Sequence, residues 1–413
     1  MHRYWSGAPK RQKCNHCGWK RASLYDTAGS VCFPLAGDRA VGGGHVSVLL
    51  LIQGLGRARY RPIIAVHGDG PVRHWLVEQG LAHDMELFSG RVQGRRGAWL
   101  RDAALVGRRS WAGAQFLRRR QVAIVHVNDT VMLGTWVLAT RLAGAKLLWH
   151  KRGPWTGRRL HRIWLRLADH VIAISRFAAP PYRSPECSLI YNPFAPKPPF
   201  DRAACRAAVL QETGLPADAR ILGLFADLDQ ERKRPMVFLE VVARLAEQLP
   251  RPVAAGLLFG QYSDDTAAKP RTRAASLGIA DSVHLMGFRY PPDPWYAACD
   301  LLVVPSVNEG FGRTLVEAML LGTIAVAADS GGHREIIEHG RTGFLVRPDD
   351  TPAFADQVGD LLERPDEIAR LASRAREDAA QRFGIGRHVQ SVVEVYDALL
   401  YRGEATAVSP TAT

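Results

Sequence analysis

Cysteine is scarce in this chain of 413 residues, which contains six at irregular intervals. That number and spacing exclude a disulfide-stapled secreted scaffold and favour a reducing cytosol. No run reaches about 18 uninterrupted apolar residues, so we predict no transmembrane helix. Residues 1–28 also lack the apolar core of a signal peptide. Hydrophobic residues make up 47% of the chain and charged residues 23%, which excludes a wholly disordered protein.

The sequence also lacks a complete set of Cys and His residues at the spacing of a metal site. Cys14 and Cys17 are close together, but no second C-x-x-C and no H-x-x-x-H follows them. Because a structural zinc site takes four ligands, the pair is either half a site or a stray pair in a basic tail. No other set of metal ligands stands out, and we expect no metal and no other cofactor.

Acidic residues are few in the first half of the chain. Residues 1–195 contain 30 Lys and Arg against 10 Asp and Glu, a net charge of +20. Residues 196–413 contain 24 against 30, a net charge of −6. The change of sign supports a domain boundary near residue 195. The basic half is either a solubilising arginine-rich face or a surface that docks on anionic lipid headgroups. Without a recognised binding module, we do not expect nucleic acid as a partner.

Short apolar segments alternate with longer amphipathic ones in both halves. Ile63–Val66 and Leu301–Val304 are typical of buried strands, and His45–Leu55 and Thr130–Leu142 are typical of helices. The alternation predicts an α/β fold with parallel sheets covered by helices on both faces. A proline-rich joint spans Tyr191–Pro199. We therefore expect two doubly wound, Rossmann-like domains that face each other across a ligand-binding cleft.

The segment with the clearest chemistry follows the strand Leu301–Val304. Asn308–Thr314 is a glycine-bearing loop, and a helix pattern follows it directly. The N-terminus of such a helix offers free N–H groups and a partial positive charge, which favour a phosphate. Glu309 and Glu317 are eight residues apart and can border one pocket, where they would accept hydrogen bonds from sugar or ribose hydroxyls. Taken alone, the pair also fits a capping acid and a surface acid.

The run from Glu309 to Glu317, Glu-Gly-Phe-Gly-Arg-Thr-Leu-Val-Glu, resembles the E-x7-E signature of retaining glycosyltransferases with the GT-B fold. The family that it resembles most is glycosyltransferase family 4, the group 1 transferases. Residues 295–306, residues 329–346 and Gly287–Arg289 are similar to further segments of that family. The resemblance spans residues 29–402 and is more specific in the second half than in the first.

This resemblance implies transfer of a sugar from a nucleotide-diphosphate sugar to an acceptor hydroxyl, with retention at the anomeric carbon. Residues 29–195 would form the acceptor-side domain and residues 196–385 the nucleotide-sugar domain. Residues 386–402 would form a helix that crosses back onto the first domain. Residues 1–28 would be a basic extension, and residues 403–413 a disordered tail.

The resemblance also implies which residues form the site. Glu309 would orient the donor sugar, Lys233 would neutralise the diphosphate, and His150 would lie across the cleft as the third candidate catalytic residue. Glu317 would bind the ribose. The other candidate donor-binding residues are Arg232, Phe311, Gly312, Arg313, Thr314, Leu315, Phe288, Arg289, Gly43 and Gly44.

One segment departs from the family pattern. Asp227 stands where the family often has an arginine, and the loop around it is one residue longer. Arg232 or Lys233 could take the place of the usual lysine, and the Lys-Arg-Pro run favours Lys233. A solvated charge cluster is the alternative interpretation of this segment.

The basic first half, together with the resemblance, favours a lipid-linked glycan as acceptor, as in envelope polysaccharide or lipopolysaccharide assembly. We then expect a cytoplasmic protein that is peripheral on the inner face of the cytoplasmic membrane. Two alternatives stay open. One is another GT-B enzyme, a sugar phosphorylase or a nucleotide-sugar epimerase, and the other is a non-catalytic transferase subunit. The sequence names neither the sugar nor the base of the donor.

Overall fold

The structure is a computed structural model that describes residues 29–38, 40–56, 59–82, 85–88, 103–155, 159–181, 186–248 and 254–401. The predicted N-terminal extension with Cys14 and Cys17, and the predicted tail, lie outside these residues. No helix in the described ranges is long and apolar enough to span a lipid bilayer.

Two parallel sheets organise the described residues. Their strands are β1 (Gly29–Ala36), β2 (Tyr60–His67), β3 (Met85–Phe88), β4 (Val122–Val127), β5 (Lys146–Lys151), β6 (His170–Ala173), β7 (Cys187–Leu189), β8 (Arg220–Phe225), β9 (Ala254–Phe259), β10 (Val283–Gly287), β11 (Leu301–Val304), β12 (Ile324–Ala328) and β13 (Phe344–Val346). The first sheet has the order β3-β2-β1-β4-β5-β6-β7 and the second the order β10-β9-β8-β11-β12-β13. Both orders reverse direction at a central strand, as in doubly wound folds.

Helices connect the strands and cover the sheets. They are α1 (Gly43–Leu55), α2 (Pro71–Glu78), α3 (Ala103–Arg119), α4 (Thr130–Ala143), α5 (Arg159–Leu167), α6 (Arg202–Thr213), α7 (Pro235–Gln248), α8 (Asp264–Ser276), α9 (Asp293–Ala298), α10 (Arg313–Leu320), α11 (His333–Ile336), α12 (Thr351–Leu362), α13 (Pro365–Phe383) and α14 (Ile385–Tyr401). The predicted fold of two doubly wound α/β domains is confirmed.

The first sheet is buried on both faces, and this burial explains why β1 is apolar from Val31 to Ala36. Val31, Phe33 and Leu35 pack into the core on one face of the sheet, whereas Cys32 and Ala36 pack into the core on the other. Successive strand residues point to opposite faces, so a strand covered on both sides needs apolar residues at every position.

The last helix, α14, returns to the first domain. Val392 and Tyr396 belong to the same core as β1, β2 and α1. Gly54 of α1 permits the close approach, because a Cβ at that position would lie 2.3 Å from Val389 Cγ2. Where the chain crosses between the domains, the N–H of Phe194 donates to the carbonyl oxygen of Phe383 at 2.9 Å. The outgoing and returning segments therefore cross side by side.

Candidate active site

Glu309 lies in the loop between β11 and α10, and this loop packs against the first domain. The hydroxyl of Ser175 donates to the carbonyl oxygen of Gly310. A Cβ at Gly310 would lie 3.1 Å from the carbonyl oxygen of Arg152, at the carboxyl end of β5. The glycine therefore lets the loop approach the facing strand ends closely.

A second glycine pair supports the same loop from the opposite side. The N–H of Gly332 donates to the carbonyl oxygen of Glu309 at 3.0 Å. Gly331 has a φ of +58°, and a Cβ there would lie 2.5 Å from that same oxygen. Contacts this tight between backbone segments fix the position of Glu309 independently of its side-chain partners.

Two cations hold the carboxylate of Glu309. Its Oε1 accepts from Lys233 Nζ at 2.6 Å, and its Oε2 lies 2.6 Å from Arg232 Nη1. Both cations come from the 3-10 turn Glu231–Lys233, which follows β8. Burial raises the pKa of Glu309, but Lys233 and Arg232 outweigh burial and leave the pKa below its usual range. The Lys233 side chain is 16% exposed and that of Arg232 40%, so Lys233 is the more enclosed of the two.

Asp227, which departs from the family pattern, organises the turn that leads to these cations. Its carboxylate accepts from the Gln230 side-chain amide at 2.6 Å and from the N–H of Asp229 at 3.2 Å. The acid therefore caps a local turn instead of supplying a charge next to Glu309.

Glu317 lies in α10, one turn from its start. It accepts from Arg313 at 3.1 Å and from the Tyr296 hydroxyl at 3.2 Å. Burial, with Glu317 adding to it, raises the pKa of Tyr296 well above its usual value. Arg313 also reaches the first domain, where Nη1 donates to Ser47 Oγ at 2.7 Å. A Cβ at Gly43 would lie 2.4 Å from Arg313 Cδ, so the glycine at the start of α1 makes room for this arginine.

Not every predicted donor-binding side chain lies near Glu309. Phe311 is buried against the aromatic rings of the interdomain joint, at 5.8 Å from Tyr191 between ring centroids. Leu315 is part of the second-domain core, while Gly312 and Thr314 contribute backbone at the start of α10. Phe288 is exposed. Arg289 follows β10 but pairs with Glu212 and lies over the ring of Trp295.

His150 is fully buried in β5 and forms part of a hydrogen-bonded chain. Its Nδ1 lies 3.0 Å from Nε2 of His126 in β4, and Nδ1 of His126 lies 2.6 Å from the hydroxyl of Tyr396 in α14. Burial and the nearby Arg152 hold the pKa of both histidines well below the usual value, so both rings are neutral. The Nε2 of His150 is buried and has no hydrogen-bond partner among the described residues.

The hydrogen-bond network assigns the protons of this chain. Within the described part of the protein, the Tyr396 hydroxyl bonds to His126 alone. Nη2 of Arg152 can only donate, and it lies 3.5 Å from His150 Nδ1, so this nitrogen is the acceptor of the bond with His126. The neutral His126 ring therefore carries its proton on Nε2, and its Nδ1 accepts from the Tyr396 hydroxyl. His126 then donates from Nε2 to His150 Nδ1, which leaves the proton of His150 on Nε2. His150 therefore presents an N–H donor.

Arg152, Asn128 and Asn192 complete the first-domain side of the cleft, and the sequence analysis did not place them in the site. Arg152 donates from Nε at 2.9 Å and from Nη2 at 2.8 Å to Asn128 Oδ1, and from Nη1 at 2.7 Å to Asn192 Oδ1. A Cβ at Gly44 would lie 3.5 Å from Arg152 Cδ. Polar residues at the carboxyl ends of β4 and β5, which are neighbours in the sheet, were the available signal.

The two Rossmann-like domains and the site between them define the GT-B class of glycosyltransferase folds. Residues 219–364 match the family described as Glycosyl transferases group 1, and residues 41–194 match Glycosyltransferase Family 4. The chain belongs to the group 1 glycosyltransferases of family 4. The family resemblance noted in the sequence is thus confirmed.

Curated relatives match about half of this chain. The D-inositol 3-phosphate glycosyltransferase of Thermobispora bispora is 39% identical over 216 residues, which are 50% of this chain and 49% of the relative. The enzyme of the same name from Streptomyces scabiei is 38% identical over 212 residues, 49% of this chain and 46% of the relative. The chain thus spans about half the length of the curated relatives it matches.

Solved structures match nearly the whole chain. Anabaena HepE in complex with UDP-glucose has a TM-score of 0.72 at 25% identity, and the match covers 90% of this chain and 100% of HepE. A glycosyltransferase from Rickettsia africae has a TM-score of 0.77 at 17% identity, over 90% of this chain and 99% of the other. These matches confirm the GT-B fold.

Proposed function

We propose that the protein is a retaining hexosyltransferase that moves a sugar from a nucleotide-diphosphate sugar to an acceptor hydroxyl. The observation that carries the proposal is the carboxylate of Glu309, held between Lys233 and Arg232 where the second domain faces the first. Glu317, eight residues further along, would bind the donor's ribose. The UDP-glucose bound to HepE supports a nucleotide sugar as donor and makes UDP-glucose the first probe.

The geometry suits a reaction in which the leaving group carries the charge. Lys233, Arg232 and the N-terminus of α10 provide positive charge where the departing diphosphate develops its negative charge. The bond from the anomeric carbon to the diphosphate oxygen breaks, leaving an oxocarbenium-like sugar. The acceptor oxygen bonds to that carbon from the same face, and its proton passes to the departing phosphate oxygen. Glu309 and the N–H of His150 would hold the sugar hydroxyls in place during this step.

Nucleotide-sugar binding and turnover test this proposal. In a thermal-shift screen of nucleotide sugars, the donor at 100 times its Kd should stabilise the protein by about 2.7 kcal/mol. Glu309→Ala should keep donor binding and lose turnover. The matched control is Glu240→Ala, which removes a carboxylate paired with Arg273 on the surface of the same domain. Unchanged turnover in Glu309→Ala would overturn the mechanism.

Product analysis separates the alternative reactions. A sugar phosphorylase would consume inorganic phosphate, and a nucleotide-sugar epimerase would convert the donor without any acceptor. A non-catalytic subunit would bind the donor and turn nothing over. Among the described residues, no group of three or more His, Cys, Asp or Glu is arranged to hold a metal ion. Metal independence stays a prediction, checked by assaying turnover in EDTA.

Three neighbouring helices of the first domain support a lipid surface as partner. Helices α3, α4 and α5 contain no Asp and no Glu. They pack side by side, since Cβ atoms built at Gly113 and Gly134 would lie 3.0 Å from Ala139 and 3.4 Å from Trp164. These helices expose four large apolar residues to an extent of 45–52%: Trp111, Leu138, Leu142 and Ile163. The exposed arginines on the same helices are Arg108, Arg118, Arg119, Arg141, Arg162 and Arg166. Exposed apolar and basic side chains together suit an anionic bilayer.

We accordingly propose a lipid-linked glycan as acceptor, with the protein peripheral on the inner face of the cytoplasmic membrane during envelope polysaccharide or lipopolysaccharide assembly. The names of the curated relatives favour a second acceptor class, a phosphorylated polyol such as D-inositol 3-phosphate. Co-sedimentation with phosphatidylglycerol vesicles at low salt, against phosphatidylcholine vesicles as control, distinguishes the two. Absence of binding to the anionic vesicles would remove the lipid-linked acceptor.

A further inference from the structure

We propose that Arg152 forms a subsite for an acidic group of the acceptor, a phosphoryl or a carboxyl group, on the first-domain side of the cleft. The proposal rests on the proposed function, because only a transferase requires an acceptor. It adds a chemical property of the acceptor that neither the family signature nor the donor-side residues specify.

The first observation is the pairing of the cations at the cleft. Three of these side chains are matched by the carboxylates of Glu309 and Glu317, namely Arg232, Lys233 and Arg313. Arg152 differs from them, because none of the carboxylates in the described ranges pairs with it. Its hydrogen-bond partners are neutral side chains. A positive charge in a partly buried position without a counter-charge is suited to a ligand that supplies one.

The second observation is the number of donors that Arg152 retains. A guanidinium has five N–H groups. Two donate to Asn128 and one to Asn192, and Nη2 lies 3.5 Å from His150 Nδ1, which is a long contact. At least one N–H of the terminal nitrogens is therefore available for an oxyanion. The two asparagines meanwhile fix the orientation of the guanidinium plane, which favours charge-assisted binding.

The surroundings of Arg152 also favour an anion. Burial and the neighbouring Arg313 together lower the pKa of Arg152 to about 9, so a bound anion would relieve repulsion between the two cations. The start of α1 adjoins Arg152 at Gly44 and adds the partial positive charge of a helix N-terminus. The N–H that His150 carries at Nε2 is also buried and has no hydrogen-bond partner among the described residues.

The position of Arg152 assigns this subsite to the acceptor and not to the donor. Arg152 follows β5 of the first domain, whereas Arg232, Lys233 and the start of α10 belong to the second. Arg232 and Lys233 share the single carboxylate of Glu309, so one positive charge of the second domain remains for the donor diphosphate. An acidic group bound at Arg152 would therefore belong to the acceptor, which binds on the first-domain side of the cleft.

Binding measurements with the donor side filled test the subsite directly. Inorganic phosphate and acetate are each titrated, at constant ionic strength, into the full chain saturated with UDP. The variants are Arg152→Gln and the matched control Arg61→Gln, which removes an exposed arginine of the same domain. We expect Arg152→Gln to weaken binding of phosphate, acetate or both by about tenfold or more, with UDP affinity within about threefold of wild type. We expect Arg61→Gln to change neither.

Several outcomes would overturn the subsite. The first is that wild type binds neither anion. The second is an anion affinity in Arg152→Gln within about twofold of wild type. The third is an equal loss of anion affinity and UDP affinity in Arg152→Gln, which would place Arg152 on the donor side. If wild type fails to bind any nucleotide diphosphate, the proposed function fails instead. A purely structural Arg152 would lower the melting temperature equally with and without phosphate, whereas the subsite predicts loss of the phosphate-dependent increase. If Arg152→Gln does not fold, Arg152→Lys replaces it, with weaker anion binding expected because lysine has no planar fork.

Discussion

Removing the hydroxyl of Tyr396 tests whether the last helix sets the protonation of His150. This hydroxyl donates to His126 at 2.6 Å, and His126 lies 3.0 Å from His150. All three side chains are fully buried. Tyr396→Phe keeps the ring, which packs edge-on against Tyr60 at 5.1 Å between centroids, and removes only the proton donor of the chain.

The structure sets the size of the effect. A buried nitrogen that loses its partner costs about 1–3 kcal/mol, and each kcal/mol lowers the melting temperature of a domain of this size by about 2–4 °C. In wild type the inverted arrangement, in which His150 carries its proton on Nδ1, would point that proton at Nη2 of Arg152, which can only donate. Without the hydroxyl the direction of the chain depends on Arg152 alone, and each 1.4 kcal/mol changes the ratio of the two forms by about tenfold.

Nitrogen NMR of histidine-labelled protein reads the proton position, with the His150 signal identified by its absence in His150→Gln. Urea unfolding measures stability. The control is Tyr290→Phe, since Tyr290 is 67% exposed and its change should stay within about 0.5 kcal/mol. A wild-type His150 protonated on Nδ1 would refute the assignment. So would a Tyr396→Phe variant as stable as the control.

Three further predictions concern Glu309 and two residues that contact it, Lys233 and Gly331. Lys233→Met should lower sugar transfer by about 10²-fold or more, measured as product formation, while Lys269→Met on the exposed surface of α8 should not. Gly331→Ala should destabilise the protein more than Gly340→Ala in urea unfolding. Both have positive φ, +58° and +74°, but only Gly331 has a backbone oxygen 2.5 Å from the added Cβ. Equal losses would contradict the clash. Because the folded state lowers the pKa of Glu309, its contribution to stability is fully present above the ordinary glutamate pKa of about 4.3 and is lost as pH falls through the lower folded value. Urea unfolding at a series of pH values across that range should show this loss of stability in wild type and not in Glu309→Gln.

The position of Glu309 in the loop after β11 and of Glu317 in α10 was predictable because both lie in one strand–loop–helix unit whose geometry is local. The contact between Glu309 and Lys233 spans 76 residues, but β8 and β11 are neighbours in the second sheet. Parallel neighbours end at the same edge of a sheet, which brings the two residues into one region. The sequence analysis placed both residues at the donor site but did not predict their direct contact. Both side chains reach the Glu309 carboxylate in the structure, so the preference for Lys233 over Arg232 at the diphosphate stays a prediction.

Other contacts had no local signal. Arg289 follows β10 and is a predicted donor-binding residue, yet its side chain pairs with Glu212 of α6. The contact between His126 and Tyr396 spans 270 residues and exists because α14 packs on the first domain. Asn128 and Arg152 were visible only as polar residues at strand ends. Their shared hydrogen bonds depend on the β4–β5 pairing and on the position of the interdomain joint.

The order of residues along the chain determined the two-domain α/β fold, the family, and the loop that carries Glu309. Hydrophobic periodicity, turn residues and a contiguous motif all act over a few residues, and such short-range information can be read without coordinates. Tertiary structure alone decided the proton position of His150, the reach of Arg313 to Ser47 and the lack of a carboxylate next to Arg152. Those features depend on how separately formed layers pack, because a side chain's partners are set by the elements that share its space and not by its neighbours in sequence.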